Sequence, residues 1–263
     1  MLPNDWPPWV VMWALASAIF AACKVLTWST THVRASAWRQ VGYFVAWPGL
    51  DARAFLDPRP LPQEERPKLG EWIFAVAKCL FGAVLLWVLV PLVPTNLPMV
   101  RGWVGMAGLI FTLHFGLFHV LSCAWRAAGV DAKPLMNWPL LATSLADFWS
   151  RRWNTAFRDL TSRFLFRPLA KSLGPKVGLA AGFLFSGLVH DLVISLPAGG
   201  GYGWPTLYFV LQGLGLLFER TRIGKRIAGR AFTAIVVVGP AAGLFHEPFV
   251  MNVILPFLDA IGT

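Results

Sequence analysis

Charged residues are scarce in this chain: Asp, Glu, Lys and Arg make up 14% of its 263 residues, against about a quarter in soluble domains. Hydrophobic residues make up 56%. This balance excludes a disordered chain, a basic nucleic-acid-binding domain and a soluble globular enzyme. The short alternating segments of a transmembrane barrel are also missing. The remaining class is a helical membrane protein.

Motifs for metals and nucleotides are missing as well. The three cysteines, Cys23, Cys79 and Cys123, lie in or at the ends of apolar runs, and their spacing matches no metal motif. We interpret them as buried apolar residues. The glycines of GGGYG (199–203) follow Pro197, whereas a nucleotide-binding loop needs them between a strand and a helix. We therefore predict no metal site and no bound cofactor.

Long apolar runs dominate what is present. A membrane span takes about 20 apolar residues. Two shorter apolar runs, 41–50 and 249–261, are interrupted by proline or glycine. We interpret them as re-entrant or interfacial segments. The sequence predicts an all-α, polytopic transmembrane bundle of six to eight membrane segments, formed by one domain over 1–263. The six predicted spans are 9–28, 71–94, 103–124, 177–197, 204–219 and 231–247.

The net charge of +10 follows the predicted spans. Twenty of the 23 basic residues lie in three stretches, 29–70, 125–176 and 220–230, which alternate with loops that carry few. Cytoplasmic loops of membrane proteins carry such an excess of Lys and Arg, so these stretches are predicted to be cytoplasmic. Topology explains the charge without nucleic acid, and a second role in attracting an anionic substrate stays open. We expect a multi-pass protein of a bacterial inner membrane or the endoplasmic reticulum.

The long cytoplasmic stretch contains an amphipathic pattern. At 100° per residue, six apolar residues fall within an arc of about 100°, while Arg151, Asn154 and Arg158 fall on the far side. The pattern predicts an interfacial helix at the cytoplasmic surface. The apolar residues are Trp149, Trp153, Ala156, Phe157, Leu160 and Phe164.

Polar residues inside spans are costly and therefore candidates for function. His190 lies well inside the fourth span, with Asp191 beside it and Ser186 one helical turn earlier. A neutral histidine serves as a general base near pH 7, and the alternative is a hydrogen bond between helices.

Other polar residues have a structural explanation that is at least as good. Gln212 is interpreted first as a hydrogen bonder between helices, and so are His114 and His119. His246, before Glu247 and Pro248, either caps a helix or marks a break that faces a cavity.

Two sequence blocks together carry a resemblance to a known family. The block DFWSRRWN (147–154) precedes the membrane-embedded FSGLVHD (185–191) by about 36 residues. This arrangement resembles the membrane-bound O-acyltransferases and is most similar to their wax synthase-like branch. The segments GYFVAWPGLDARAFL (42–56) and LFHEPFVMNVILPFL (244–258) are also similar to that branch.

The resemblance implies an enzyme that moves a fatty acyl group from acyl-CoA to the hydroxyl of a long-chain or lipid-like alcohol in the membrane. It implies His190 as the catalytic base and Asn154 as a second active-site residue. Direct transfer is favoured, and an acylated Ser186 is the lower-ranked alternative. Further predicted substrate contacts are Trp149, Arg151, Arg152, Trp153, Arg158, Ser186, Asp191, Gln212 and His246; the three arginines either bind the phosphates of coenzyme A or only set the topology.

Two other classes of function remain as alternatives. A proton-coupled transporter would use His190 and Asp191 as a proton relay, but transporters often carry an inverted repeat and none is found here. A non-catalytic scaffold, or a pseudoenzyme, is the second alternative. Acyl-CoA-dependent chemistry distinguishes the enzyme, and solute uptake distinguishes the transporter.

Overall fold

The architecture comes from a computed structural model that describes residues 6–263, and this range contains helices and no strand. The α-helices are α1 (Pro8–Ser29), α2 (Ala37–Val45), α3 (Ala52–Leu56), α4 (Leu69–Val84), α5 (Val90–Leu92), α6 (Pro98–Leu109), α7 (Phe118–Ala127), α8 (Leu145–Asp147), α9 (Thr155–Thr161), α10 (Arg167–Leu173), α11 (Pro175–His190), α12 (Leu196–Ala198), α13 (Trp204–Glu219), α14 (Gly224–Ile227), α15 (Arg230–Val238), α16 (Ala241–Leu244), α17 (Glu247–Phe249) and α18 (Leu255–Ala260).

Several of these helices continue into one another through π-helical stretches, a form found often at functional sites. The π-helical stretches are Leu85–Leu89, Ile110–Leu117, Phe148–Arg152, Ser162–Phe166, Asp191–Ser195 and Val250–Ile254, and short 3₁₀ turns occur at Gln63–Glu65 and Pro139–Leu141.

Four helices are long and apolar enough to cross a membrane, and they coincide with four of the six predicted spans. A fifth span is possible if the bent pair Arg230–Leu244 and Glu247–Ala260, which meet at 62°, crosses as one unit. The predicted number of six to eight membrane segments is therefore not confirmed. The four helices are Pro8–Ser29, Gln63–Leu92, Pro98–Ala127 and Pro175–Ala198.

The predicted fifth span, 204–219, forms the helix α13 but is short. Its 16 residues reach about 24 Å, less than the roughly 30 Å of the hydrocarbon core. One face of α13 is buried against the rest of the protein, including Tyr208, Phe209 and Gln212. This helix serves as a wall of the protein interior.

The predicted amphipathic helix over 149–164 is interrupted in the structure. Helical geometry stops at Trp153 and Asn154, and α9 begins at Thr155. The backbone of Trp153 is extended and that of Asn154 is left-handed, with φ at 40°, and a continuous right-handed helix accommodates neither conformation. Its position at a cytoplasmic surface is not confirmed by the structure either.

The outer surface of the long helices is apolar. Ile73, Leu80 and Val84 on α4 and Leu184 and Leu188 on α11 are all exposed. Water disfavours such continuous apolar surfaces, whereas lipid chains accept them. Together with the length of the helices, this surface identifies an integral membrane protein.

A lysine inside the first span ties the segment 37–56 to α1. Lys24 is 1% exposed, and its Nζ donates hydrogen bonds to the carbonyl oxygens of Tyr43 at 2.8 Å and Gly49 at 2.6 Å. The same ammonium lies 3.6 Å from the centre of the Tyr43 ring, a favourable cation–π contact. No sequence pattern marks Lys24, because the apolar residues around it dominate the hydropathy of the span.

The buried residues form two apolar clusters. One lies among the spans and includes Leu86, Met106, Phe209 and Val253. The other packs the segment 37–56 against residues from 130 to 160 and is built around Tyr43, Phe55, Val130 and Leu160. The second cluster gives the interrupted stretch around Asn154 a fixed position against the helices.

Candidate active site

A cavity of about 580 Å³ lies between α1, α11, α13, the π-helical stretch Ile110–Leu117 and the interrupted stretch around Asn154. It brings together the two predicted catalytic residues, His190 and Asn154, which are 36 positions apart in the chain. Such an apolar pocket with a few convergent polar groups is typical of a substrate site. Four predicted contact residues also line it: Trp149, Trp153, Arg158 and Ser186.

The backbone determines which nitrogen of His190 carries the proton. Nδ1 lies 2.6 Å from the carbonyl oxygen of Ser186, and a carbonyl oxygen only accepts, so Nδ1 is the donor. In the neutral ring the lone pair is then on Nε2. The ring packs against Phe209, with 4.4 Å between ring centres. His190 is thus held in the tautomer that a proton acceptor at Nε2 needs.

Ser186 lines the same cavity, but its hydroxyl has another partner. Its Oγ donates to the carbonyl oxygen of Gly182 at 3.0 Å. The contact of Ser186 with His190 comes from its backbone oxygen and not from Oγ. A serine nucleophile needs its hydroxyl hydrogen-bonded to a base, and this geometry does not provide that contact.

Asn154 owes its position to two features that suit asparagine. Its φ of 40° lies in the left-handed region, which asparagine tolerates better than most residues. Its Oδ1 accepts a hydrogen bond from the backbone N–H of Phe157 at 3.4 Å and caps α9. Because the cap uses the oxygen, the amide group Nδ2 keeps both of its protons for another acceptor.

Trp149 and Trp153 form aromatic walls of the cavity. The Nε1 of Trp149 donates to Gln212 Oε1 at 3.2 Å, and Gln212 Nε2 donates to the carbonyl oxygen of Val236 at 2.7 Å. Trp153 stacks on Phe148 with 5.6 Å between ring centres. Gln212 lies outside the cavity lining, so it holds Trp149 in place without facing the cavity itself.

Glu219, at the end of α13, anchors the start of this stretch. Its carboxylate accepts the backbone N–H groups of Leu145 at 2.6 Å and Ala146 at 2.9 Å. These are orphan donors at the start of α8, and an acid is favoured there by the helix dipole. No sequence motif marks Glu219 as part of the site.

Replacing Glu219 by glutamine is expected to destabilise the protein by about 1–2 kcal/mol, the range of a buried donor left unpaired. An amide has one acceptor oxygen for two N–H groups, and its own NH₂ would face the second donor. A lower thermal midpoint of Glu219→Gln in nanodiscs checks this expectation. Equal midpoints for the wild type and the variant would contradict the anchoring role.

The predicted arginines separate into two groups. Arg158 lines the cavity and also a larger neighbouring cavity of about 1200 Å³, which Arg151 and Lys133 line too. Arg152 lines neither cavity. It forms a salt bridge with Asp147 at 2.6 Å and donates a hydrogen bond to the carbonyl oxygen of Trp138 at 3.1 Å. These contacts stabilise the loop around Trp138.

Burial shifts the pKa of two carboxyl groups that line the larger cavity. Burial raises the pKa of the Asp131 carboxyl above its ordinary value, although Lys133 opposes the shift. Burial also raises the pKa of Asp159, against the effect of neighbouring Arg158. Arg151, Arg158 and Lys133 line the same cavity and offer positive charge to an anionic ligand.

Asp191 and His246 lie outside the lining of the His190 cavity. Asp191 accepts hydrogen bonds from Ser195 Oγ at 2.9 Å and from the backbone N–H groups of Gly203 at 2.8 Å and Thr206 at 3.0 Å. It therefore stabilises the start of α13, where an acid is favoured. Its neighbour in sequence, His190, faces the cavity instead.

His246 belongs to the same network. Its Nδ1 accepts the N–H of Phe249 at 3.2 Å, so its Nε2 carries the proton and donates to Ser195 Oγ at 3.1 Å. A histidine that donates to a serine is not in the state to activate it. The predicted capping alternative for His246 fits this geometry.

The two other histidines of the sequence analysis differ from each other. His119 joins helices as predicted: its Nδ1 lies 2.6 Å from Lys78 Nζ and its Nε2 lies 2.9 Å from Glu71 Oε1. His114 does not. It lines the His190 cavity, and its buried Nδ1 has no hydrogen-bond partner among the described residues.

One cluster has the residue types of a metal site. Ligand atoms of Glu71, His119 and Cys123 lie within 4.8 Å of one another. However, Arg126 donates a hydrogen bond to the Glu71 carboxylate, and Lys78 Nζ lies within hydrogen-bond distance of His119 Nδ1, at 2.6 Å. The cluster already holds two cationic side chains, so we interpret it as an ion-pair network between helices.

Comparison with known proteins agrees with the geometry. Residues 132–211 match the family model described as the membrane bound O-acyl transferase family. Both Asn154 and His190 lie within the matched segment. This segment of the chain is similar to the membrane bound O-acyl transferase family. The resemblance predicted from the sequence is confirmed.

Several proteins named as O-acyltransferases are similar to parts of this chain. The chain is 32% identical to a probable long-chain-alcohol O-fatty-acyltransferase 1 of Arabidopsis thaliana, over 65% of this chain and 52% of that protein. It is 31% identical to a long-chain-alcohol O-fatty-acyltransferase of Simmondsia chinensis, over 46% of this chain and 39% of that protein. An acyl-CoA–sterol O-acyltransferase 1 of Arabidopsis thaliana is 30% identical, over 46% and 37%. The chain spans about half the length of the relatives it matches.

Proposed function

We propose that this protein transfers a fatty acyl group from acyl-CoA to the hydroxyl of a long-chain or lipid-like alcohol, in a bacterial inner membrane or the endoplasmic reticulum. The observation that carries the proposal is the shared cavity of His190 and Asn154, on the segment that matches the family model. The names of the relatives support the substrate classes.

In the first step, His190 Nε2 takes the proton of the alcohol as its oxygen attacks the carbonyl carbon of the thioester. The hydrogen bond from Nδ1 to the Ser186 oxygen stabilises the imidazolium that forms. A positioned base contributes about 10²–10⁴-fold to the rate. Alignment of the two substrates in one cavity contributes the larger share, up to roughly 7–11 kcal/mol.

In the second step, the tetrahedral intermediate collapses and releases coenzyme A as a thiolate, which takes the proton from His190. The negative charge on the former carbonyl oxygen needs donors while it exists. Asn154 supplies one, because its Nδ2 protons are free while Oδ1 caps α9. Such a donor is typically worth about 10²–10³-fold in the rate.

The larger cavity is assigned to the coenzyme A end of the donor. Arg158 lines both cavities, and Thr155 on the wall of the larger one follows Asn154 on the wall of the smaller one. The stretch around Asn154 thus lies on the walls of both cavities. Guanidinium groups of Arg151 and Arg158 suit phosphate binding, and the thioester would reach past this stretch to His190.

Gly182 gives a test of where the chains of the substrates lie. It lines the cavity two helical turns before His190, and a Cβ added there would meet no atom within 4 Å. Gly182→Leu is expected to fill cavity space and reduce transfer with the longest chains about tenfold relative to short ones. Gly182→Ala is the graded control, with a smaller effect in the same direction. Equal losses at all chain lengths would contradict this assignment.

The transporter alternative has less support from the same contacts. Asp191 bonds to Ser195, Gly203 and Thr206 and lies outside the lining of the His190 cavity. A relay from His190 to Asp191 would need a contact that these partners replace. No observation favours this second function.

The proposal is tested by ester formation. Purified protein in nanodiscs receives labelled acyl-CoA and a panel of fatty alcohols, sterols and glycerides, and the products are identified by mass spectrometry. Formation of an ester with at least one alcohol supports the proposal. Failure with every alcohol in a folded sample, together with solute uptake in proteoliposomes, would contradict it.

A further inference from the structure

His114 is the one cavity histidine that the proposed mechanism does not use, among the residues that the structure describes. It belongs to the π-helical stretch Ile110–Leu117, whereas His190 ends α11. The two histidines therefore approach the same cavity from different helices. π-Helical stretches are costly to form and occur often at functional sites.

The hydrogen-bonding state of His114 is unusual. Its Nδ1 is buried and has no partner in the described part of the chain. A buried N–H without an acceptor is rarer in native proteins than an acceptor without a donor. The proton of the neutral ring is therefore assigned to Nε2. Nδ1 then carries a lone pair that accepts no hydrogen bond.

The orientation of the ring follows from the same observations. His114 lines the cavity, while Nδ1 is shielded inside the protein. The opposite edge of the ring, which carries Nε2, is then the edge available to the cavity. Its neighbour on the helix, Phe118, lies at 5.2 Å between ring centres and offers no acceptor.

The two cavity histidines thus have complementary roles in hydrogen bonding. His190 presents a lone pair at Nε2, because its Nδ1 donates to the Ser186 oxygen. His114 presents an N–H donor at Nε2. A reaction between an alcohol and a thioester needs both kinds of group: an acceptor for the hydroxyl proton and donors for the carbonyl oxygen.

We propose that His114 is a further catalytic residue, whose Nε2–H donates a hydrogen bond to the carbonyl oxygen of the acyl thioester. It acts together with the Nδ2–H of Asn154. As the alcohol oxygen attacks, the carbonyl electron pair moves onto that oxygen, and the two donors hold the negative charge. His114 keeps its proton throughout, and the charge returns to the carbonyl bond when coenzyme A leaves. This inference rests on the proposed function.

The test compares His114→Phe, which keeps a ring without nitrogen, with His114→Gln, whose amide N–H reaches about as far as Nε2. For His114→Phe we expect kcat to fall about 10–100-fold, with KM for acyl-CoA within about twofold of the wild type, since the donor acts mainly on the developing charge. His114→Gln is expected to recover at least a tenth of the wild-type kcat.

Thermal unfolding separates this role from a structural one. His114→Phe removes a buried nitrogen without a partner, so its thermal midpoint is expected to equal or exceed that of the wild type. Wild-type protein without transfer activity would contradict the proposed function itself. Active wild type with unchanged kcat in His114→Phe would overturn the role of His114, and so would a lowered midpoint with no recovery in His114→Gln.

Discussion

His190→Asn is expected to lower kcat for acyl transfer by about 10²–10⁴-fold, the usual contribution of a positioned general base. The reason is specific to one nitrogen. An asparagine amide reaches about as far as Nδ1 and can still donate to the carbonyl oxygen of Ser186, which His190 contacts at 2.6 Å. It has no group in place of Nε2. The substitution therefore removes the proton acceptor and preserves the local hydrogen bond.

The matched control is His190→Ala, which removes both nitrogens. If the base at Nε2 carries the effect, the two variants lose activity to a similar extent. Steady-state kinetics in nanodiscs measures the loss, and the thermal midpoint shows whether His190→Asn remains folded. Retention of more than a tenth of the wild-type kcat in folded His190→Asn would contradict the assignment of the base.

Substitution of Asn154 is expected to have the second large effect on kcat, because different atoms of its side chain serve the fold and the chemistry. Asn154→Asp keeps an oxygen that caps the N–H of Phe157, and aspartate tolerates the backbone φ of 40°. It loses the two amide protons and adds a negative charge near the developing oxyanion. We expect kcat to fall by about 10²–10³-fold with little change in stability.

Two further substitutions separate the atoms of Asn154. Asn154→Gly relieves the positive φ and costs only a few tenths of a kcal/mol as a cap, whereas Asn154→Ala loses about 1 kcal/mol of capping and is strained in the left-handed region. The wild type and Asn154→Asp should be the most stable, Asn154→Gly less stable, and Asn154→Ala the least stable. Activity should be low in all three variants. A variant series in which activity follows stability instead would contradict the role of the amide protons.

The sequence contains enough to predict the two central residues of the cavity. The paired blocks around Asn154 and His190 pointed to the family whose model matches residues 132–211, and four helices long enough to cross a membrane followed from apolar length alone. Long, continuous apolar runs are the most readily recognised pattern in a sequence. The apolar run that forms α13 has only 16 residues, and such a shorter run also forms a buried helix.

Other parts of the site depend on contacts that no local pattern encodes. Asp191 directly follows His190, yet α-helical geometry turns it by about 100°, so its carboxylate meets the start of α13. The break depends on the extended backbone of Trp153 and the left-handed backbone of Asn154, and the apolar spacing on both sides still has the period of one helix. The function of Glu219 depends on N–H groups more than 70 positions away.

His114 illustrates the same limit from another side. The sequence favoured a hydrogen bond between helices for both His114 and His119, and His119 makes one with Glu71. The buried nitrogen of His114 has no such partner in the described structure. Only the three-dimensional packing distinguishes a histidine that joins helices from one that faces a cavity.

The most direct test of the account is the stoichiometry of coenzyme A release and ester formation, measured in the same sample with and without the alcohol. The account predicts one thiol released for each ester formed, no release without the alcohol, and loss of both in folded His190→Asn. Release of coenzyme A that proceeds without any alcohol, or that persists in His190→Asn, would contradict direct transfer with His190 as the base.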